Sequence, residues 1–73
     1  MSQYSASTLD VTANYMGENI PCQITNLSWN GNNFNGSVDG VNVSGSDNNG
    51  SVTATGNYFG HIYNATGTVT GWN

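Results

Sequence analysis

Neither lysine nor arginine occurs anywhere in this chain of 73 residues. Ordinary usage would supply roughly 8 basic residues at this length. Phosphate, carboxylate and nucleic acid are usually gripped by Arg forks or Lys points, so nucleic acid is not an expected partner. The same absence removes the Lys that commonly guards exposed sheet edges. Acidic residues are few as well: Asp10, Glu18, Asp39 and Asp47, with His61 the single histidine and a net charge of −4. Cysteine is limited to Cys22, so no internal disulfide is expected and the thiol reads as a small buried hydrophobe. One His, one Cys and four scattered carboxylates make no ligand-spaced cluster, so neither a metal nor a cofactor is expected. No apolar run reaches the 18 residues that a spanning helix needs. The N-terminus shows no basic or apolar leader region; the sequence leaves the location unknown, with an extracellular surface or a virion favoured.

What the chain does contain argues for a folded domain. Val, Thr, Tyr, Phe and Trp are plentiful, whereas disorder calls for few of them. Asn, Gly, Ser and Thr supply the polarity that charges usually provide. The expected organisation is one small β domain over residues 1–73, with residues 1–5 as a flexible N-terminal arm.

Leu9, Val11, Ala13 and Tyr15 alternate with Asp10, Thr12 and Asn14, the period of a half-buried strand. Gly17-Glu18-Asn19 reads as a turn. A second strand runs through Ile20, Cys22 and Ile24 to Leu27 and Trp29, and its change of apolar parity predicts a bulge between Ile24 and Leu27. Asn30-Gly31, Asp39-Gly40 and Asn49-Gly50 are hairpin signals, because both centres of a type I′ turn need positive φ. Gly60-His61 suits a type II′ loop.

The four loops agree on one inner face. Directly opposed residues share a face, and two-residue loops at these points collect Leu27, Trp29, Phe34, Val38, Val41, Val43, Val52, Ala54 and Tyr58 together. An error of one residue would scatter the set. The expected fold is all-β, an antiparallel up-and-down meander of about six strands. One apolar face cannot stay open to water, so the sheet closes, or nearly closes, into a small barrel. The alternative is an open sheet completed by a second copy. Small residues opposite large ones, such as Gly36 and Gly56 beside Val43, suit a tightly curled interior.

The opposite face carries Ser44, Ser46, Thr53, Thr55, Thr66 and Thr68 as a charge-free hydroxyl array. Thr is a good strand former, and cross-strand Thr pairs stabilise sheets. The runs Thr53-Ala54-Thr55 and Thr66-Gly67-Thr68-Val69-Thr70 resemble those of ice-binding β-proteins, which would imply an ice- or glycan-binding face. Gly56-Asn57-Tyr58-Phe59-Gly60, followed by Ala65-Thr66-Gly67-Thr68-Val69, resembles a run in the barrels of transferrin-binding-protein-like bacterial surface lipoproteins. That resemblance covers the last third of the chain and implies a related barrel with a host-protein or haem ligand. His61 stands where the family usually has Pro.

Catalysis has little to draw on. Cys22 and His61 are the one plausible reactive pair, and the strand pairing keeps them apart, so the chain is not expected to be an enzyme. Phe59 and Ile62 flank the last turn on the outer face, and Trp72 shares their parity. With His61 they make the candidate contact surface, since exposed apolar groups of that kind mark interfaces. The expected function is contact: a structural, decoration or adhesion subunit of a virion, filament or cell surface, acting through itself or another protein. Alternatives are a small phage-type inhibitor that masks a partner and a ligand-binding module using the Ser/Thr face.

Overall fold

The computed structural model describes residues 3–73. A single 3-10 turn, Gln3–Ser5, precedes six strands: β1 Leu9–Tyr15, β2 Glu18–Asn30, β3 Asn33–Val38, β4 Val41–Asn48, β5 Ser51–Tyr58 and β6 His61–Trp72. Each pairs antiparallel with the next, and β6 returns to β1, giving a closed six-stranded barrel. Among the described residues no helix is long and apolar enough to cross a membrane.

Every strand-to-strand connection is a two-residue loop. Positive φ at both centres marks Met16-Gly17, Asp39-Gly40, Asn49-Gly50 and Phe59-Gly60 as type I′, whose twist matches that of the flanking strands. Two of these, Asp39-Gly40 and Asn49-Gly50, fall where the sequence puts them. The first turn is Met16-Gly17 rather than Gly17-Glu18-Asn19, because glycine takes the second centre. The last is Phe59-Gly60 rather than Gly60-His61, for the same reason. The second is Gly31-Asn32 rather than Asn30-Gly31, with positive φ at Gly31 alone. At 31–32 and 59–60 the register moves by two residues, so Phe34 meets Trp29 and Ala65 meets Ala54. Side chains alternate with a period of two, and the inner face therefore survives both shifts.

The expected bulge in β2 lies between Thr25 and Ser28, with Asn26 at φ 56°. A second irregularity lies in the β1–β6 seam, where Asp10 opposes Gly71 but Val11 opposes Val69. Thr70 is the extra residue, and it reverses the parity of everything after it.

The hairpins alternate between the two ends of the barrel, and the ends differ. At the end holding the 31–32 and 49–50 loops, the interior is filled. Leu9, Val11, Ile24, Phe34 and Val52 are buried, with Leu27, Trp29 and Trp72 packed on them. Of the five residues expected as an arm, Gln3–Ser5 form the 3-10 turn, and Met1 and Ser2 lie outside the described residues. The Tyr4 ring sits 5.3 Å from Trp29 and 6.0 Å from Trp72, closing this end as a lid. Trp29 Nε1 donates to the Ala6 carbonyl at 2.9 Å, and the Leu27 amide to Ser7 O at 3.1 Å.

Candidate functional site

The other half of the barrel is hollow. A cavity of about 370 Å³ runs between Val11, Cys22, Ile24, Val43 and Val52 toward the end formed by the 16–17, 39–40 and 59–60 loops. Its origin is the size of the inward residues. Ala13, Ala54, Gly56, Ala65 and Gly67 all face in at this level, where the other end has Leu9, Phe34 and two Trp. Tyr58 and Tyr63 line the cavity yet remain 50% and 46% exposed, so the space opens to solvent at this end.

The mouth is apolar around its rim. Among the described residues the large exposed hydrophobics are Met16, Ile20, Tyr58, Phe59, Ile62 and Tyr63. All six stand at this end, on or beside its hairpins. Two occupy the first centre of a type I′ turn: Met16 at φ 51° and Phe59 at φ 51°. A bulky L-residue resists positive φ at a cost of roughly 1–2 kcal/mol. Phe59 is 84% exposed, so core packing does not offset that cost; its ring lies edge-on to that of Tyr58, with centroids 4.4 Å apart.

The local charge is one-sided. Asp39 lines the mouth, and Glu18 opens β2 beside the Met16-Gly17 tip. With no lysine or arginine in the chain, His61 is the one basic side chain at this end, its ring 6.4 Å from that of Tyr63. Far from the mouth, Tyr4 donates to Asp47 at 3.2 Å. Burial, then the Asp47 hydrogen bond and charge, push the Tyr4 phenol above its ordinary value.

Of the expected contact residues, Phe59, His61 and Ile62 share the last hairpin and are exposed. Trp72 does not join them. The extra residue at Thr70 turns its ring inward at the opposite end, 5.9 Å from Trp29, which corrects the expected strip of three. The hydroxyl array forms on the outer face with a changed register: Ser46, Thr53 and Thr66 make one row, and Ser44, Thr55 and Asn64 the next. Thr55 donates to Asn64 at 3.0 Å. Thr68 instead lies between Ser51 and Thr12. Cys22 faces the cavity from β2 while His61 begins β6, and these strands do not pair.

Two features escape the sequence reading. Asp47 has inward parity opposite Val52 and is fully buried. The cavity was signalled by small residues recurring at 54, 56, 65 and 67, a pattern equally compatible with a tight curl. Comparison with protein-family models, curated proteins and solved structures finds no match for this chain.

Proposed function

We propose that this protein is a non-enzymatic binding barrel that works through its open end, where an apolar group of a partner enters the cavity. The observation that carries this reading is a coincidence of place: every large exposed hydrophobic among the described residues stands at the end toward which the cavity opens, and two of them, Tyr58 and Tyr63, line it. The strained tips add to it. Asn or Asp would serve better at Met16 and Phe59 if the turns were merely structural. A neutral solvatochromic dye should bind saturably, one per barrel, with enhanced emission. Filling the cavity by Ala54→Leu should abolish the signal, and an undiminished response would refute the site.

Self-association is the second reading, in which the chain is a structural or adhesion subunit of a larger assembly. Exposed Phe59 and Ile62 favour it. Strands of 12 and 13 residues would extend about 40 Å if straight, so β2 and β6 coil about a barrel whose extents are 34 × 23 × 18 Å. An end face spans no more than the two shorter extents, 23 and 18 Å, which is small for a standard interface that buries roughly 800 Å² per partner. Such a contact is weak unless repeated within an array. Sedimentation at increasing concentration tests it: Phe59→Ser with Ile62→Ser should weaken association and preserve the fold. A wild-type protein that stays monomeric at millimolar concentration would defeat it.

A further inference from the structure

We infer that the cavity takes the hydrocarbon chain of an amphiphile whose head is neutral or cationic, and that it discriminates against carboxylates. The inference rests on the open end being a binding site and goes on to name what binds there. The volume of about 370 Å³ falls within the range of small-molecule sites, roughly 300–1,000 Å³. Its walls are methyl and methylene groups of Val11, Ile24, Val43, Val52 and Ala54, with Cys22 among them. Apart from Asp39, Thr66, the two tyrosines and the Cys22 thiol, every side chain of the lining is apolar, which suits a guest that is apolar along its buried length.

The head group would emerge at the mouth, where the chemistry changes. Asp39 sits there, Glu18 is near it, and the chain has no lysine or arginine to pair a carboxylate. A carboxylate brought to an uncompensated apolar opening beside an Asp loses hydration and gains repulsion. An ammonium head meets the reverse situation: the Asp39 carboxylate attracts it, and the exposed faces of Tyr58, Phe59 and Tyr63 favour a quaternary cation. A hydroxyl head is intermediate.

Calorimetric titration at pH 8 tests this with three ligands of equal chain length below their micellar concentrations: decyltrimethylammonium, decanol and decanoate. The expected order of affinity is ammonium, then alcohol, then carboxylate, with at least tenfold between first and last. Shortening decanol to octanol should weaken binding roughly fifteenfold, since each of the two buried methylenes contributes about fourfold. Asp39→Asn, which tolerates the same backbone geometry, should weaken ammonium binding several-fold and so narrow the gap between ammonium and decanol. Ala54→Leu and Ala65→Leu should each remove binding of all three. Should both variants misfold, methyl shifts of Val43, Val52 and Ala54 during decanol titration of the wild type locate the guest directly. Decanoate binding as tightly as decyltrimethylammonium would overturn the head-group inference and leave the cavity site standing. No binding of any chain, or shifts confined to the outer face, would overturn the site itself and the inference with it.

Discussion

Tyr4 and Asp47 are separated by 43 positions in the chain and joined by a 3.2 Å hydrogen bond from the phenol to Oδ2. Asp47 Oδ1 accepts from the Gly50 amide at 2.9 Å, and the Asp47 carbonyl accepts from Asn32 Nδ2, also at 2.9 Å. One buried carboxylate thereby ties the N-terminal lid to the 49–50 hairpin without any cationic partner. Asp47→Ala should cost about 2–3 kcal/mol, because it strands the Gly50 amide and opens a void under the lid. Chemical denaturation measures this, and an unchanged midpoint would remove Asp47 from the closing end.

The same pair gives a pH dependence on the alkaline side. The Tyr4 phenol lies above its ordinary value of 10.0, so the folded state favours its neutral form. That contribution is fully present below about pH 10 and is lost as pH rises through the folded-state value. Urea midpoints should therefore fall as pH is raised past about 10. Tyr4→Phe should have a lower midpoint at neutral pH and a shallower alkaline decline. An equal decline in both proteins would assign the effect to other groups.

The turns make a paired prediction of opposite sign. Gly40 holds φ 80°, where a β-branched residue is strained, so Gly40→Val should destabilise by at least about 1–2 kcal/mol. Phe59→Asn should instead stabilise by roughly 0.5–1 kcal/mol, since Asn accepts positive φ and little packing is lost. It should also weaken whatever the open end binds. Gain of stability with no loss of dye or amphiphile binding would separate Phe59 from the site.

Glycines in the wall differ sharply in what they tolerate. A Cβ at Gly45 would fall on the Thr53 carbonyl, and one at Gly67 would lie 2.7 Å from Thr12 O. A Cβ at Gly56 would meet chiefly the Val43 Cγ1 methyl at 3.2 Å, which can yield. Gly45→Ala and Gly67→Ala should each cost roughly 2–4 kcal/mol by forcing strands apart. Gly56→Ala should be nearly neutral and narrow the cavity. Melting temperatures of the three variants decide the order.

Most of the architecture was legible in the sequence because the alternation of side chains has a period of two. The loops at 31–32 and 59–60 lie one residue from their expected places, yet Trp29, Phe34, Ala54 and Tyr58 keep their face. The same tolerance hid the true partners, since Val52 against Gly67 and Val52 against Val69 look alike by parity. Trp72 was misread because no local signal marks Thr70 as an extra residue; that bulge is set by β1 on the far side of the seam. The site was half visible. Phe59 and Ile62 stood out as apolar residues without inner partners, but a cavity is a sum of missing volumes from several strands, and no single strand reveals it.

Closure of this barrel is also a matter of timing. Hairpin contacts join neighbours in the chain, whereas the β1–β6 seam joins Leu9 to Trp72 and Asn14 to Thr66. Local pairings form ahead of such distant ones, which must first overcome the entropy of closing the longest loop. Until the seam forms, β1 and β6 are open edges in a chain without a single lysine to blunt them. Asp10 fastens the finished seam from outside, accepting from Asn73 Nδ2 at 3.0 Å and, through its carbonyl, from Thr70 Oγ1 at 3.2 Å. The hazard of the missing charges therefore belongs to the chain before closure. Refolding yield should fall with protein concentration, and substitutions that loosen the Asp10 clasp should lower that yield before they lower the melting temperature.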